Sequence, residues 1–379
     1  MRVCQITSKH SRYDQRVFKK MATSFVGEAN ESFLLCADNK PHEINEGVNI
    51  CSVRTVKENP FNRFFINAFG WKRFKKESLK INADIYQLHD PDLLKLGAFL
   101  KRKGKKVIFD SHENYENVVE KAWIPKLLRK PIQKKYLKIE KKVLSTIDGV
   151  ITVTPFIKRR LEKINRNTIV IANYPILKSE KNHLFRNFDF CFGGNYGSYN
   201  HKLFLESIDS FQGKVKYNLV LNCSNKEFKE ISHTKGWNYV NFHRGPIPYN
   251  DLEKIYDKSA IGMVVLNYSI NYNFKEGSYG VIKIFEMMSK GMPIICTDFD
   301  VWESIIKKYK CGVCVNPNSK EEIIGAIKMF VDNPSLLQEY GTNARRAIED
   351  EFNWQMEKNK LLEFYKRISD FDANIEVVK

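Results

Sequence analysis

Lys283 and Glu286 stand three residues apart in the stretch KIFEMMSKGMPII, residues 283–295. On a helix that spacing puts both side chains on one face, while Met287, Met288 and the run Pro293–Cys296 supply apolar surface to pack against a sheet. Such a face offers a cation to phosphates and a carboxylate to hydroxyl groups; the plainer reading is a solvated ion pair on an amphipathic helix. Just before it, Lys275-Glu276-Gly277-Ser278-Tyr279-Gly280 reads as a glycine-containing loop whose backbone N–H groups suit an anion. Other polar clusters follow apolar runs. Ser8 to Arg16 follows VCQI, with His10, Arg12, Asp14 and Arg16; Asp14 is a helix-cap candidate that leaves Arg16 or His10 for a phosphate. His89-Asp90-Pro91-Asp92 follows IYQL, and Asp110-Ser111-His112-Glu113 closes VIFD. The Asp90-Pro91-Asp92 pattern could hold a metal, but Asp92 before LLKLGAFLKRK reads as a helix cap, and no catalytic divalent ion is expected.

The elements that must position these residues are short apolar runs alternating with helix-length segments. Strands are expected at 2–6, 32–37, 48–53, 85–89, 106–110, 149–154 and 168–172, then at 188–193, 217–222, 238–243, 261–266, 293–296 and 313–315. Strand, helix, strand repeated in this way gives right-handed crossovers and parallel sheets. Two such series predict two Rossmann-like domains, 1–175 and 176–353, with a hinge near the Pro-interrupted Asn173–His183. Ligands in such sheets bind beyond the carboxyl ends of strands, where every cluster above lies.

Four segments together give the chain a family resemblance: TSKHSRYDQRVFKK (7–20), ADIYQLHDPDLL (83–94), VIFDSHENY (107–115), and Lys283 through GMPIICTDFDVWESII (291–306) to GVCVNP (312–317), closing with NARRAIEDEFNW (343–354). It resembles the family 4 glycosyltransferases, nucleotide-sugar-dependent enzymes of the GT-B fold. The resemblance implies two Rossmann-like domains facing across a cleft, with a last helix, 354–368, returning to the first domain. It implies that His112 reaches the donor sugar, that Glu286 binds the ribose, and that Lys283 contacts the phosphates with the loop Gly277, Ser278, Tyr279 and Gly280. His10, Arg16, His89 and Glu113 fall on the acceptor side. The chain departs from the family in two places. Gly194 and Tyr199, in FCFGGNYGSYNHK (190–202), stand where an arginine and a lysine usually hold the diphosphate, leaving His201 or Lys202 as displaced substitutes. Ser278 stands where the first of two paired glutamates is usual. Retention of configuration without a metal or other cofactor is implied.

Composition bounds the rest. At 379 residues and 43% apolar content the chain can fill two cores. The eight cysteines lie mostly in strand-like runs and read as buried thiols; Cys311-Gly312-Val313-Cys314 lacks the second ligand pair a zinc site needs. No window has the 18–20 apolar residues of a membrane span, and Met1–Ile6 reads as a core strand rather than a signal peptide, so a cytoplasmic location is expected. Residues 1–175 carry 35 Lys+Arg against 18 Asp+Glu, a net of +17, which leaves +1 of the total +18 for the remainder. Within the basic half, Trp123 to Lys142 threads Trp123, Leu127, Leu128, Ile132 and Tyr136 through lysines and arginines, the pattern of a helix on an anionic bilayer. Solvated lysines are the plainer account. Nucleic acid binding has charge in its favour but no recognition module. The expected activity is therefore transfer of a hexose or N-acetylhexosamine from a UDP- or GDP-sugar to a lipid-linked glycan of an O-antigen or capsule, at the inner membrane face. The alternatives are a sugar-nucleotide epimerase of the same architecture and a non-catalytic nucleic-acid or heparin binder.

Overall fold

The computed structural model describes residues 1–27, 29–54, 68–112, 126–178, 189–269, 272 and 274–370. The chain divides into two compact units: Met1–Asn173 joined by the chain from Met356 onward, and Tyr174–Gln355. Each is built on one sheet. Strands of the first are β1 (Arg2–Ile6), β2 (Glu31–Cys36), β3 (Glu43–Asn45), β4 (Val48–Ser52), β5 (Ile85–Leu88), β6 (Lys106–Ser111), β7 (Gly149–Thr152) and β8 (Thr168–Val170). Their spatial order is β3-β4-β2-β1-β5-β6-β7-β8, all parallel except the β3–β4 pair. The second unit holds β9 (Asp189–Asn195), β10 (Lys216–Asn222), β11 (Val240–Arg244), β12 (Ile261–Val264), β13 (Ile294–Thr297) and β14 (Gly312–Val315), parallel throughout in the order β11-β10-β9-β12-β13-β14. Every strand expected from the sequence has a counterpart, with ends shifted by at most two residues.

Strands covered by helices on both faces read as continuous apolar runs, and β5, β7, β12 and β13 are buried at every position. The strand that sequence reading missed is β3, three residues long with no apolar run. Glu46 and Gly47, at φ 48° and 78°, turn it back onto β4. Two consecutive positive φ values make the tight hairpin turn whose twist suits antiparallel strands, so the dipeptide Glu46-Gly47 was the available signal.

The helix Trp354–Asp370 buries Leu361, Phe364, Tyr365 and Ile368. It lies so close to β7 that a Cβ on Gly149 would come within 2.6 Å of Phe364. All eight cysteines are free thiols. Among the described residues, no helix is long and apolar enough to cross a membrane.

Candidate functional site

Both units place polar clusters beyond the carboxyl ends of their central strands, as the sheet topology requires. In the first unit the innermost layer is a buried network. Arg16 forks onto Asp110, Nε to Oδ2 at 2.9 Å and Nη2 to Oδ1 at 2.8 Å, and also donates to the Ile171 carbonyl at 3.2 Å. His89 sets Nδ1 3.1 Å from Asp110 and Nε2 2.7 Å from Gln5 Oε1. Tyr365 donates to Gln87 Oε1 and accepts from Gln5 at 3.4 Å. This corrects two expectations. Arg16 is not free for a phosphate, since it is 5% exposed and both carboxylate oxygens of Asp110 engage it. His89 does not face an acceptor, since it is wholly buried between Gln5 and Asp110. Ligand atoms of His89, Asp110 and His112 lie within 4.8 Å of one another, but a cation there would share Asp110 with the Arg16 guanidinium, so the trio reads as an ion-pair network.

Above this layer sits the loop Thr7–Arg16. Asp14 caps the following helical segment, Val17–Ala22, accepting N–H bonds from Arg16 and Val17 at 2.8 Å each. Asp90 accepts from Thr7 Oγ1 and Ser8 N, both at 2.7 Å. His10 places Nδ1 3.4 Å from Asp14 and Nε2 3.1 Å from His112 Nε2. Asp92 is not the helix cap expected of it. It lies inside the turn Pro91–Leu93, with its carboxylate on Ser8 Oγ at 2.9 Å and Lys9 Nζ at 3.5 Å. Burial there, with Asp90 as a like-charged neighbour, pushes its carboxyl up to about 6, although Lys9 pulls the other way. Glu113 lies outside the described residues.

In the second unit, Lys283 is in the first turn of the helix Ile282–Ser289, which has no side-chain cap. Its Nζ lies over the rings of Phe192 at 4.8 Å and Tyr199 at 5.0 Å. Among the described residues no hydrogen bond or ion pair closes on that ammonium. Burial lowers it to about 8, against the pull of Glu286 one turn on. At the place of the missing arginine, a Cβ on Gly194 would meet Lys283 Nζ and come within 2.8 Å of Phe192, so a side chain there would have to displace the tip of the lysine. Lys283 occupies the space that a side chain at 194 would need. The residue expected at Tyr199 is likewise replaced by a ring that supports the same cation.

Lys202 is no substitute, because its side chain is 68% exposed and reaches toward Glu206, one turn along its own helix. The loop amides need correction too. Gly277 N–H is spent on the Tyr272 carbonyl at 2.9 Å and Gly280 N–H on Ser278 Oγ at 2.9 Å, so these two do not serve an anion. What the loop does is pack. Trp302 Nε1 donates to the Ser278 carbonyl at 3.0 Å, and Gly277, at φ 81°, sits where a Cβ would strike Phe299 at 2.5 Å. Sequence reading missed Tyr249 and Tyr256, whose phenols are raised by burial and by the negative charge of Glu286. Nothing in their spacing marks them as its neighbours.

Models of two known domains match the chain in tandem, Glycosyltransferase Family 4 over residues 15–173 and Glycosyl transferases group 1 over 178–347. The chain belongs to the family 4 glycosyltransferases. A curated relative, an uncharacterized glycosyltransferase of Methanocaldococcus jannaschii, is 24% identical over 99 residues, which is 26% of this chain and about a quarter of that protein. Solved structures with the same fold include sucrose-phosphate synthase from Thermosynechococcus elongatus, with a TM-score of 0.70 and 15% identity, covering 98% of this chain and 99% of that one. Anabaena HepE with UDP and glucose gives 0.67 and 11%, covering 97% and 100%. WaaG, a glycosyltransferase involved in lipopolysaccharide biosynthesis, gives 0.65 and 12%, covering 95% and 98%. At these identities they show a shared GT-B architecture.

One member of the second site differs in kind. His201 is 1% exposed, ringed by Phe192, Tyr196 and Tyr199, with neither ring nitrogen hydrogen-bonded among the described residues. Burial first, and the Lys283 charge second, lower it to about 3. A histidine lowered on folding favours the native state fully above its ordinary value near 6.5 and loses that advantage as pH falls toward 3. The expected slope is about 1.4 kcal/mol per pH unit within that window. His201→Leu removes it and leaves no unpaired nitrogen, so the variant should melt above wild type by most at pH 5, with the gap narrowing to a constant smaller margin by pH 8. Melting temperatures across pH check this, and a gap independent of pH would exclude His201 as the source.

Proposed function

We propose that the chain transfers a hexose or N-acetylhexosamine from a UDP- or GDP-sugar to a lipid-linked glycan in the assembly of a surface polysaccharide. The observation that carries this reading is Lys283. A desolvated ammonium at the uncapped start of a helix, held on two aromatic faces without a carboxylate on it, is a site prepared for a phosphate oxygen. Glu286, one turn later, is the ribose-binding residue by resemblance, and His112 the residue that contacts the transferred sugar. HepE in complex with UDP and glucose, and the involvement of WaaG in lipopolysaccharide biosynthesis, support the donor class and the product class.

The chemistry follows from charge. As the bond between the sugar and the diphosphate lengthens, negative charge grows on the leaving oxygens, and a fixed cation with helix N–H groups stabilises it most at that moment. Lys283 supplies that charge without a metal, so turnover is expected to survive a chelator. Retention at the anomeric carbon follows from the resemblance, and the product's anomeric coupling in proton NMR tests it.

The reading is checked first by melting the protein against a panel of nucleotide sugars. A donor at a hundredfold excess over its Kd stabilises by about 2.7 kcal/mol. Glu286→Gln should lose much of that shift through its ribose contact; a panel in which no nucleotide sugar raises the melting temperature would remove the reading.

The membrane side of the proposal rests on the helix Lys126–Leu144. Its inner face packs Ile139, Val143 and Leu144 on the core, and Glu140 takes the Tyr136 hydroxyl at 2.7 Å and Arg160 at 2.5 Å. Its outer face exposes Lys130, Lys134, Lys135, Lys138, Lys141 and Lys142, with Leu127 92% exposed at its start. Trp123 lies outside the described residues. Each cation near an anionic surface contributes about 1 kcal/mol, so wild type should co-sediment with anionic vesicles and be released by salt. Lys130, Lys134, Lys135 and Lys138 changed to Glu should abolish this; equal behaviour of both proteins on anionic and neutral vesicles returns the lysines to a solvated face.

A further inference from the structure

The loop that leads into the Lys283 helix also caps a different helix of the second unit. The helix Asp300–Tyr309 starts after Phe299 with no side-chain cap, so its first N–H groups need acceptors from outside it. Two of them find the loop. Asp300 N–H donates to the Lys275 carbonyl at 2.9 Å and Val301 N–H to the Glu276 carbonyl at 3.1 Å. Trp302, the next residue, adds its indole, with Nε1 on the Ser278 carbonyl at 3.0 Å. One helix turn thus takes up the backbone of the loop from Lys275 to Ser278.

Side chains close the same seam. Asp298 pairs with Lys275 at 3.1 Å and accepts from the Tyr268 hydroxyl. Phe299 is wholly buried, with the rings of Tyr268, Tyr272 and Trp302 at 5.9, 5.7 and 4.9 Å, and it fills the space beside Gly277. The Lys275 side chain is 59% exposed, so its ion pair contributes little. Trp302 has no exposed surface, and a buried indole N–H is costly to leave without its acceptor. It therefore grips the loop most firmly at the end nearer Lys283. Ser278 stands five positions before Lys283, and its Oγ accepts from Gly280 N–H at 2.9 Å, which carries the fixed point forward. The helix Ile282–Ser289 has no side-chain cap to set its start; the anchored loop does that instead.

We propose that Trp302 is a positioning residue for nucleotide binding: by holding the Ser278 carbonyl it fixes the start of the helix Ile282–Ser289, and with it the place of the Lys283 ammonium over Phe192 and Tyr199. This rests on the reading above that Lys283 meets the diphosphate. Position matters because a charge-assisted bond to a phosphate oxygen needs an N···O distance of about 2.7–2.9 Å. A helix start that wanders by about 1 Å turns that bond into a loose contact.

The test is calorimetric titration of UDP and of GDP into wild type, Trp302→Phe, Lys283→Met and the double variant. Lys283→Met should weaken the tighter nucleotide by about tenfold or more, the worth of a charge-assisted bond. Trp302→Phe keeps a ring against Phe299 and removes the indole N–H; it should weaken binding about fivefold in the wild-type background and less than about twofold further once Lys283 is Met. A tryptophan that serves only the core would cost the same factor in both backgrounds or nothing in either, and each of those results overturns the proposal. Lys275→Met, which leaves the carbonyl bonds in place, should bind within about twofold of wild type; a larger loss would put the anchor at the ion pair rather than at Trp302. Should Trp302→Phe fail to fold, Phe299→Leu loosens the same seam and goes through the same cycle, with the same outcomes deciding. Failure of the underlying reading looks different: wild type would bind neither nucleotide, or Lys283→Met would bind as tightly as wild type.

Discussion

Lys283→Ala is expected to lower turnover by about 10²–10³-fold, the usual loss when a preorganised group that stabilises developing negative charge is removed. Lys202→Ala should stay within about twofold, as exposed substitutions do, because Lys202 points to solvent beside Glu206. The physical argument is desolvation. An ammonium over Phe192 and Tyr199 has given up water for two ring faces, each contributing about 0.5–2 kcal/mol, and it recovers a full charge partner only when phosphate arrives. The pH dependence follows with a definite sign. Lys283 is cationic below about 8 in the free protein, so kcat/KM should fall as pH rises through that value. Bound phosphate favours the charged form, so the fall in kcat should come at higher pH. Lys283→Met keeps the stem on the aromatic faces and removes the charge; its loss should match that of Lys283→Ala. Steady-state kinetics of the three variants with one donor decide the matter, and equal losses in Lys202→Ala and Lys283→Ala would put the phosphate contact elsewhere.

Much of the fold was legible because buried parallel strands are continuous apolar runs. VCQI, IYQL, VIFD and PIIC announce β1, β5, β6 and β13 without reference to anything distant. The helix bearing Lys283 and Glu286 was legible for the same local reason. The polar network was not, because its members pair across long stretches of chain: Arg16 with Asp110, Gln5 with His89, Gln87 with Tyr365. Gln5 and Gln87 did leave a trace. Each interrupts an apolar strand, and the two are register partners on adjacent strands, which is where a buried polar layer needs them. Spacing cannot tell a free arginine from a paired one, and so Arg16 stands beside His10 as a candidate phosphate ligand in the sequence. Gly194 was legible as a departure from the family but not as a neighbour of Lys283, since that contact exists only once β9 and the helix Ile282–Ser289 are packed together.

The pairing that misled the reading of Arg16 carries the largest expected effect on stability. Arg16→Ala strands Asp110, a carboxylate with no exposed surface, beside Gln87 and His89 with no guanidinium to compensate it. Removing one partner of a buried pair typically costs about 3–5 kcal/mol, because the remaining charge has lost its compensation without regaining water. Replacing both, as Arg16→Met with Asp110→Leu, should recover a good part of that loss, although the hydrogen bond from Gln87 and the His89 contact then need repair. Asp110 also sets an acid limit. Burial alone would raise its carboxyl, but Arg16 and His89 hold it far below the ordinary range. A lowered carboxylate contributes its stability above the unfolded value near 4 and loses it as pH falls below that value. Wild type should therefore lose stability on acidification below pH 4 more steeply than the double variant. Urea unfolding of wild type, Arg16→Ala and the double variant at pH 7 and pH 4 measures all three quantities. A double variant no more stable than Arg16→Ala at either pH would mean that the fork onto Asp110 is not what makes Arg16 necessary, and that its bond to the Ile171 carbonyl at 3.2 Å is the contact that matters.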